Sequence, residues 1–334
     1  MSAAENGRIA VQIGDDRTLI VRTDHQLSPR HRLYFRTVLG GLESEDGTFW
    51  TVPLRQFTAG ELVARLHSQL VRDGITVVLQ GEAERQAAAE LERRRSFERV
   101  MTAGRDYHQV GPTVVQEEIR GKLELIGWDF EARDLLQHQW AGVAHAMTVM
   151  HAANFSVPGA GKTATTLAVI AAHLASETID TIVVVGPLAS FTPWEKEAQI
   201  ALPGVLDVKR VRGVNSRARQ AFYRDAAPRD LLLLTYPTVV ADLAELLRLA
   251  ERRNILLVID ESHRIKRFRG GQWATAMVEL ARAATIRIIL SGTPMPQSAL
   301  DLWTQLNVLW PHEELTGSRS SFRLRADTQF DALI

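Results

Sequence analysis

The sequence contains no cysteine, and its 39 Lys and Arg residues balance 39 Asp and Glu residues. The lack of cysteine excludes disulfides, zinc ribbons and iron–sulfur clusters, and is typical of a reducing cytoplasm. A net charge of zero excludes a global attraction to nucleic acid or membrane, so a polyanion site has to be a local patch. The longest apolar runs, such as 231–234 and 255–259, are far too short to span a bilayer. Residues 1–10 lack the pattern of a signal peptide. We therefore expect a soluble, cytoplasmic protein.

A chain of 334 residues with 46% hydrophobic content predicts two domains. From residue 132 onward, short apolar runs alternate with amphipathic helical runs. This alternation predicts an α/β domain whose parallel sheet has helices on both faces. The predicted strands are 152–157, 181–186, 205–211, 231–235, 255–259 and 286–290. The predicted helices are 163–175, 193–202, 215–226, 239–253 and 273–284.

The first part of the chain, 1–125, has a different character and predicts a small α+β domain. Two β-hairpins are expected there, one from 8–13 and 18–22 and one from 32–39 and 48–53. A helix at 61–71, a strand at 75–79 and a helix at 83–101 follow in this prediction.

A glycine-rich turn, Ser156-Val157-Pro158-Gly159-Ala160-Gly161-Lys162-Thr163, lies between a predicted strand and a predicted helix. Such a turn can point consecutive backbone N–H groups at a polyphosphate. Lys162 can reach the β- and γ-phosphates, and the Thr163 hydroxyl can complete a Mg²⁺ shell. Ser156 stands where the usual pattern has its first glycine, so this turn alone is a moderate match to a phosphate loop.

Two adjacent carboxylates, Asp260 and Glu261, follow the apolar strand 255–259. Asp260 would hold Mg²⁺ through water, and Glu261 would position the water that attacks the γ-phosphorus. The alternative is an acidic pair that caps the next helix. A position about a hundred residues after a Gly-Lys-Thr loop favours the catalytic interpretation. His263, beside the carboxylates, is predicted to couple the γ-phosphate to movement.

A third strand, 286–290, ends in Ser291, Gly292, Thr293 and Pro294. The glycine lets the backbone approach a ligand closely. Without the two preceding motifs, an ordinary turn after a strand would explain this segment.

In combination and order, these motifs resemble the first RecA-like lobe of a superfamily 2 helicase-type ATPase of the Swi/Snf family. The resemblance implies a lobe over 126–312 that binds ATP and Mg²⁺, in which Gln139 reads adenine. It also implies that Ser291, Gly292 and Thr293 take part in coupling. The matching residues are Leu135 to Gln139, Gly159 to Thr163, Gly186-Pro187-Leu188 with Ser190, Trp194 and Glu197, Leu234-Thr235-Tyr236, Asp260 to Lys266, and Ser291 to Pro294 with Gln297, Leu302, Trp303 and Pro311.

The sequence departs from the family pattern at two places. Ser156 and Val157 stand where the family usually has acidic residues. Nothing after Pro311 resembles the second lobe, which in the family supplies an arginine finger worth roughly 10³ to 10⁵ in turnover. The tail 313–334 would therefore lead toward a missing second lobe, present in cis or supplied in trans.

The family tracks the backbone of nucleic acid, usually double-stranded DNA, and phosphate contacts need Lys and Arg. The best local patch is Arg264, Lys266, Arg267 and Arg269, because no acidic residue occurs between positions 262 and 271. The alternative is a solvated helix start. A second group of cations leaves the two interpretations open: Lys209, Arg210, Arg212, Arg217 and Arg219.

The leading hypothesis is the ATP-hydrolysing first lobe of a double-stranded DNA translocase or remodeller. One alternative is an ATP- or DNA-binding module that is inactive alone. Another is a strand-separating superfamily 2 helicase, which the Trp194, Glu197, Leu302 and Trp303 elements disfavour because they resemble the translocase branch.

Overall fold

The structure is a computed structural model that describes residues 8–14, 18–54, 59–110, 113–213, 215–265, 271–296, 300–311 and 322. The chain forms two compact units, Met1–Met101 and Thr102–Ile334. The division therefore lies earlier than the boundary at residue 125 suggested by composition. No helix of the described ranges is both long and apolar enough to cross a membrane.

The first unit is built on a mixed five-stranded sheet. In chain order it contains β1 (Arg8–Gly14), β2 (Thr18–Thr23), α1 (Pro29–Leu33), a π-helical turn (Tyr34–Val38), β3 (Leu42–Glu43), β4 (Phe49–Pro53), α2 (Ala59–Arg72), β5 (Thr76–Leu79) and the start of α3 (Glu82–Val110). The strand order is β3-β4-β2-β1-β5. The β1–β5 pair is parallel, and the β1–β2, β2–β4 and β3–β4 pairs are antiparallel.

The prediction of a strand at 32–39 is wrong, because this segment is helical. Ser28 caps α1 by accepting a hydrogen bond from the His31 amide at 3.3 Å, and Pro29 occupies the first turn. Phe35 and Leu39, four residues apart, are both buried in the core of this unit. The capping signal was present in the sequence, and it outweighs the β-propensity of the aromatic residues.

The second unit is a parallel α/β domain. It contains α4 (Thr113–Ile126), α5 (Gln137–Val149), β6 (Ala152–Asn154), α6 (Lys162–Ala175), β7 (Thr181–Val185), a 3₁₀ turn (Leu188–Ser190), α7 (Phe191–Ala201), β8 (Asp207–Arg210), α8 (Ser216–Arg224), β9 (Asp230–Leu234), α9 (Tyr236–Ala250), β10 (Ile255–Asp260), a 3₁₀ turn (Ser262–Ile265), α10 (Gln272–Ala283), β11 (Ile286–Leu290) and α11 (Leu300–Leu309). The strand order is β6-β11-β10-β7-β9-β8, and every neighbouring pair is parallel. The predicted fold class is confirmed.

Both faces of this sheet are covered, so its four inner strands β7, β9, β10 and β11 are mostly apolar and almost wholly buried. Val184 and Val258 face a core that includes α4, α5, α6 and α7, whereas Val183 and Ile259 face a second core with α8, α9, α10 and α11. This two-sided burial explains why continuous apolar runs, rather than alternating ones, identified the strands. Connections between parallel strands then place every strand's carboxyl end at the same edge.

Helix α4 belongs to the core of the second unit. Ile119 and Leu123 are buried, and they belong to the same apolar cluster as residues of α6. This packing accounts for the early division of the chain.

Candidate active site

A cleft lies at the carboxyl edge of the parallel sheet, where the segments after β6, β7, β10 and β11 meet. All three motifs singled out in the sequence contribute to it. The lining residues that were predicted for nucleotide binding, catalysis or coupling are Pro158, Gly159, Gly161, Lys162, Thr163, Asp260, Glu261, His263, Gly292 and Thr293.

The turn before α6 depends on two glycines with positive φ, Gly159 at 83° and Gly161 at 76°. Side chains other than glycine rarely adopt this conformation. A Cβ atom on Gly161 would also lie 2.1 Å from Gln139 Nε2, whereas a Cβ on Gly159 would meet open space. The turn leads directly into α6, whose first backbone N–H groups suit an anion.

Lys162 lies against its own loop. Its Nζ donates to the carbonyl oxygens of Ser156 at 3.0 Å and Val157 at 3.2 Å. The carbonyl oxygens of Ser156 and Val157 are thus neutral acceptors for the Lys162 ammonium group. A negatively charged phosphate oxygen can take their place and form a stronger hydrogen bond. This geometry fits a phosphate-binding loop.

Gln139, predicted to read adenine, is 4% exposed and lies outside the residues that line the cleft. Its Oε1 accepts a hydrogen bond from the Leu136 amide at 2.9 Å, and its Nε2 donates to the Ala160 carbonyl at 3.2 Å. Nε2 of His138 lies 3.1 Å from the same carbonyl. Gln139 therefore supports the phosphate loop in this structure, and a role in adenine recognition stays a prediction.

Asp260 is held in place from two sides. Trp194 Nε1 donates to Asp260 Oδ2 at 3.1 Å, and the Glu261 amide donates to Asp260 Oδ1 at 2.9 Å. Gly186 lets the end of β7 approach, since a Cβ there would lie 3.2 Å from Asp260 Cβ. The sequence motif contained both Gly186 and Trp194, but their contact with Asp260 could be found only in the structure.

Glu261 adopts a left-handed backbone conformation with φ of 53°. The buried Tyr236 stabilises it, because the Tyr236 hydroxyl donates to the carbonyls of Asp260 at 2.6 Å and Glu261 at 3.2 Å. Burial and the charge of Asp260 raise the pKa of Tyr236, which keeps this donor protonated. Strained backbone of this kind persists where surrounding contacts impose it, and it occurs often at active sites. Here it presents the Glu261 carboxylate, with 41% of the side chain exposed, to the cleft.

His263 connects the acidic pair to the third motif. Its Nδ1 lies 3.2 Å from Glu261 Oε2 and 3.1 Å from Ser291 Oγ. Ser291 Oγ also accepts a hydrogen bond from the Thr293 amide at 3.1 Å. Gly292 adjoins the phosphate loop, since a Cβ there would lie 3.0 Å from Pro158 Cγ. The predicted coupling residues therefore contact both the acidic pair and the loop.

The structure places only part of the predicted nucleic-acid patch. Arg264 lines the same cleft as Lys162 and Glu261. Lys266, Arg267 and Arg269 lie outside the described residues.

Three cations of the second group are engaged in ion pairs within the domain. Two of the pairs have a buried carboxylate, which indicates a structural role for these cations. The pairs are Lys209–Asp230, Arg210–Glu195 and Arg219–Asp242.

Two further residues, Arg133 and Lys196, also line the cleft, and no sequence pattern had singled them out. Arg133 forms an ion pair with Glu197, whose position three residues after Trp194 places both side chains on one side of α7. Arg133 precedes α5 in an irregular segment, where no periodicity predicts which residues meet.

Comparisons with known proteins agree with the motifs. A family model described as the SNF2-related domain matches residues 155–332. "Helicase swr1" of Aspergillus fumigatus is 32% identical over 159 residues, which are 46% of this chain and 9% of that protein. "Helicase swr1" of Schizosaccharomyces pombe is 29% identical over 175 residues, 51% of this chain and 13% of that protein.

The match thus spans about a tenth of the length of these helicases. A solved structure, the "Sulfolobus solfataricus SWI2/SNF2 ATPase core in complex with dsDNA", is similar with a TM-score of 0.47 and 24% identity, over 58% of this chain and 39% of that one. Because the family model covers more than half of the sequence, the chain belongs to the SNF2-related family of Swi/Snf helicase-like ATPases.

Proposed function

We propose that this chain binds ATP with Mg²⁺ in the cleft and hydrolyses it as the first motor lobe of a Swi/Snf-type double-stranded DNA translocase or remodeller. The observation that carries the proposal is the convergence of Lys162, Thr163, Asp260 and Glu261 on one cleft at the carboxyl edge of the sheet. Membership of the family supports the same activity.

The residues of the cleft have distinct tasks in this proposal. The N–H groups of the loop and of the first turn of α6 bind the β- and γ-phosphates, and Lys162 Nζ exchanges its carbonyl partners for phosphate oxygens. Glu261 accepts a hydrogen bond from the water that attacks the γ-phosphorus and orients it in line. The products are ADP and inorganic phosphate.

Thr163 and Asp260 are the residues that would hold Mg²⁺, because a hydroxyl and a carboxylate are oxygen ligands that this ion prefers. When bound, the ion neutralises charge on the phosphates. The described residues contain no cluster of three or more His, Asp or Glu side chains that could hold a metal ion. The Thr163 hydroxyl and the Asp260 carboxylate fit Mg²⁺, because this ion keeps several water ligands and also binds the phosphates of its nucleotide.

The motor lobe is proposed to be incomplete without a second RecA-like lobe. Val157 and Leu188, next to cleft-lining prolines, are 70% and 66% exposed. In this proposal they belong to the surface that the second lobe covers. A second lobe would also supply the arginine finger that the resemblance requires.

Double-stranded DNA is the proposed track, and Arg264 with the cations after it is the proposed contact. The unit Met1–Met101 is proposed to act as an accessory module that recognises the substrate.

The test of this proposal is ATP hydrolysis by the full chain with and without double-stranded DNA, together with the affinity for a fluorescent ATP analogue. Glu261→Gln should abolish turnover while keeping nucleotide affinity, because it removes the acceptor that orients water. Lys162→Ala should weaken binding at least ten-fold. The matched control for Glu261→Gln is Glu279→Gln, an exposed carboxylate on α10.

Three outcomes would change the proposal. Binding without turnover, even with DNA, would indicate an interaction module or a lobe that needs its partner, and adding a candidate second lobe would separate these two. Displacement of a strand from a forked duplex would indicate a helicase. Undiminished turnover in Glu261→Gln would remove Glu261 from its role.

A further inference from the structure

Ser262, directly after the acidic pair, is completely buried. A buried hydroxyl is costly unless it finds a partner. Ser262 Oγ donates to Oε1 of Gln305, also completely buried, at 2.6 Å across 43 positions of sequence. The buried hydroxyl of Ser262 therefore has a specific partner on α11.

Gln305 uses the other end of its amide on the third motif. Nε2 donates to the Pro294 carbonyl at 2.7 Å and to the Asp301 carbonyl at 2.8 Å. The single side chain of Gln305 thus joins the 3₁₀ turn after the acidic pair, the end of the Ser291 to Pro294 segment and the first turn of α11. Every hydrogen of its amide nitrogen is used.

The same two motifs are connected a second time at the cleft. His263 Nδ1 lies 3.1 Å from Ser291 Oγ, and the His263 side chain is 26% exposed. The two connections differ in kind. His263 lines the cleft and is partly exposed, whereas Ser262 and Gln305 are both completely buried, so their bond is excluded from water. A bond in such surroundings fixes the relative position of the two segments.

We propose that Ser262 and Gln305 are positioning residues that form a buried bridge and set the position of Ser291 to Thr293 relative to Glu261 and His263. The inference rests on the proposed function for its catalytic consequence, because it concerns the same site. The structural part of the inference is that the bridge holds the segment Ser291 to Thr293 in place. This part can be tested without any measurement of ATP turnover. A residue that only filled the core would lack this effect at a distance.

The first experiment is amide hydrogen exchange of the full chain. Ser262→Ala and Gln305→Leu should each raise the exchange rate of the Ser291, Gly292 and Thr293 amides about ten-fold, since loss of one buried hydrogen bond permits local opening. The double variant Ser262→Ala with Gln305→Leu replaces the polar pair with an apolar pair. Its exchange should rise less than the two single effects combined, because neither group is left unpaired.

The matched control is Thr304→Val, which removes a buried hydroxyl one residue away on α11. Thr304 Oγ1 has no hydrogen-bond partner among the described residues, so exchange at Ser291 to Thr293 should stay unchanged. Unchanged exchange in Ser262→Ala would overturn the proposal, and so would fully additive effects in the double variant. If Gln305→Leu fails to fold, Gln305→Met with Ser262→Ala supplies the comparison.

The second readout is kinetic and separates this inference from the proposed function. The bridge variants should lower kcat about ten-fold and leave the KM for ATP within about two-fold, since Lys162 and its loop are untouched. If the chain binds no ATP analogue, the proposed function is contradicted. The hydrogen-exchange data would still show whether the Ser262–Gln305 bridge holds the segment Ser291 to Thr293 in place. A wild-type chain that turns over ATP, with variants that change KM instead of kcat, would contradict the positioning role alone.

Discussion

Trp194 donates its indole N–H to the carboxylate of Asp260 at 3.1 Å, and the Trp194 side chain is completely buried. One turn further along α7, Glu197 forms an ion pair with Arg133, and both residues line the cleft. Helix α7 therefore contacts both the acidic pair and the segment before α5. A helix in this position can keep the two walls of the cleft at a fixed separation.

Trp194→Phe should raise the Mg²⁺ concentration that ATP turnover requires, because it removes the hydrogen bond that holds Asp260 in place and keeps the aromatic character of the side chain. A hydrogen bond to a charged group contributes about 1.5–3 kcal/mol, so we expect an increase of about ten-fold in the Mg²⁺ concentration at half-maximal turnover. A Mg²⁺ titration at saturating ATP measures it.

The matched control is Trp140→Phe, a buried indole in the same unit that stacks on Phe130. Equal shifts in both variants would show that the effect comes from general packing and would remove Trp194 from the site.

Gly161→Ala should destabilise the unit more than Gly159→Ala does. Both positions have positive φ, so both variants meet a backbone penalty of about 1–2 kcal/mol. Only at Gly161 does the new Cβ also displace the Gln139 amide, which then loses its bonds to Leu136 and Ala160. Thermal unfolding compares the two variants. Adding Gln139→Ala should recover part of the loss in Gly161→Ala, and no recovery would contradict the clash.

Two buried histidines should make the fold sensitive to acid. Burial lowers the pKa of His151 to about 2 and that of His173 to about 4, from an ordinary value of 6.5. Below about pH 6.5 the unfolded chain binds these protons and the folded chain does not, so the free energy of unfolding falls as the pH falls. Each histidine contributes up to about 1.4 kcal/mol per pH unit in this window.

Chemical unfolding between about pH 7.5 and about pH 4.5 measures the slope. His173→Gln should reduce it, and His67→Gln, which changes an exposed side chain on α2, should leave it unchanged. An unchanged slope in His173→Gln would contradict the assignment.

Asp242 should be essential for the stability of the second unit. Its completely buried carboxylate accepts hydrogen bonds from Arg219 Nη2 at 2.7 Å and from the Tyr223 hydroxyl at 2.7 Å. These bonds outweigh burial, so the pKa of Asp242 is lowered. Asp242→Ala leaves the Arg219 charge without this partner and should cost about 3–5 kcal/mol in unfolding free energy.

Asp225→Ala is the control for this variant, since it removes an exposed carboxylate that pairs with Arg224. It should have little effect on stability, because exposed ion pairs contribute little. A small loss in Asp242→Ala would mean that Arg219 finds other partners and is available to a ligand.

The sequence predicted the parallel domain well because burial on both faces makes the inner strands β7, β9, β10 and β11 nearly continuous apolar runs. The edge where the motifs meet followed from the same pattern, since parallel strands bring their carboxyl ends together. The segment 32–39 was mispredicted because capping by Ser28 and Pro29 outweighed its β-propensity. Three helices of the second unit, α4, α5 and α11, were not predicted from the sequence.

Contacts between side chains that are far apart in the chain could not be predicted from the sequence. Nothing in the spacing of Trp194 and Asp260, or of Ser262 and Gln305, shows that these groups meet. The amide of Gln139 could equally face a ligand or the backbone until the positions of Leu136 and Ala160 were known. Such contacts depend on how helices pack on the sheet, which a single sequence does not specify.

The hydrogen bonds of Lys162 to the carbonyls of Ser156 and Val157 give its ammonium group two partners within its own loop. A ligand has to displace these two carbonyl oxygens before a hydrogen bond to Lys162 can contribute to its binding free energy. A singly charged anion offers little advantage in this exchange, whereas the dense charge of a polyphosphate offers much. The loop would thus reject abundant small anions without a side chain dedicated to excluding them.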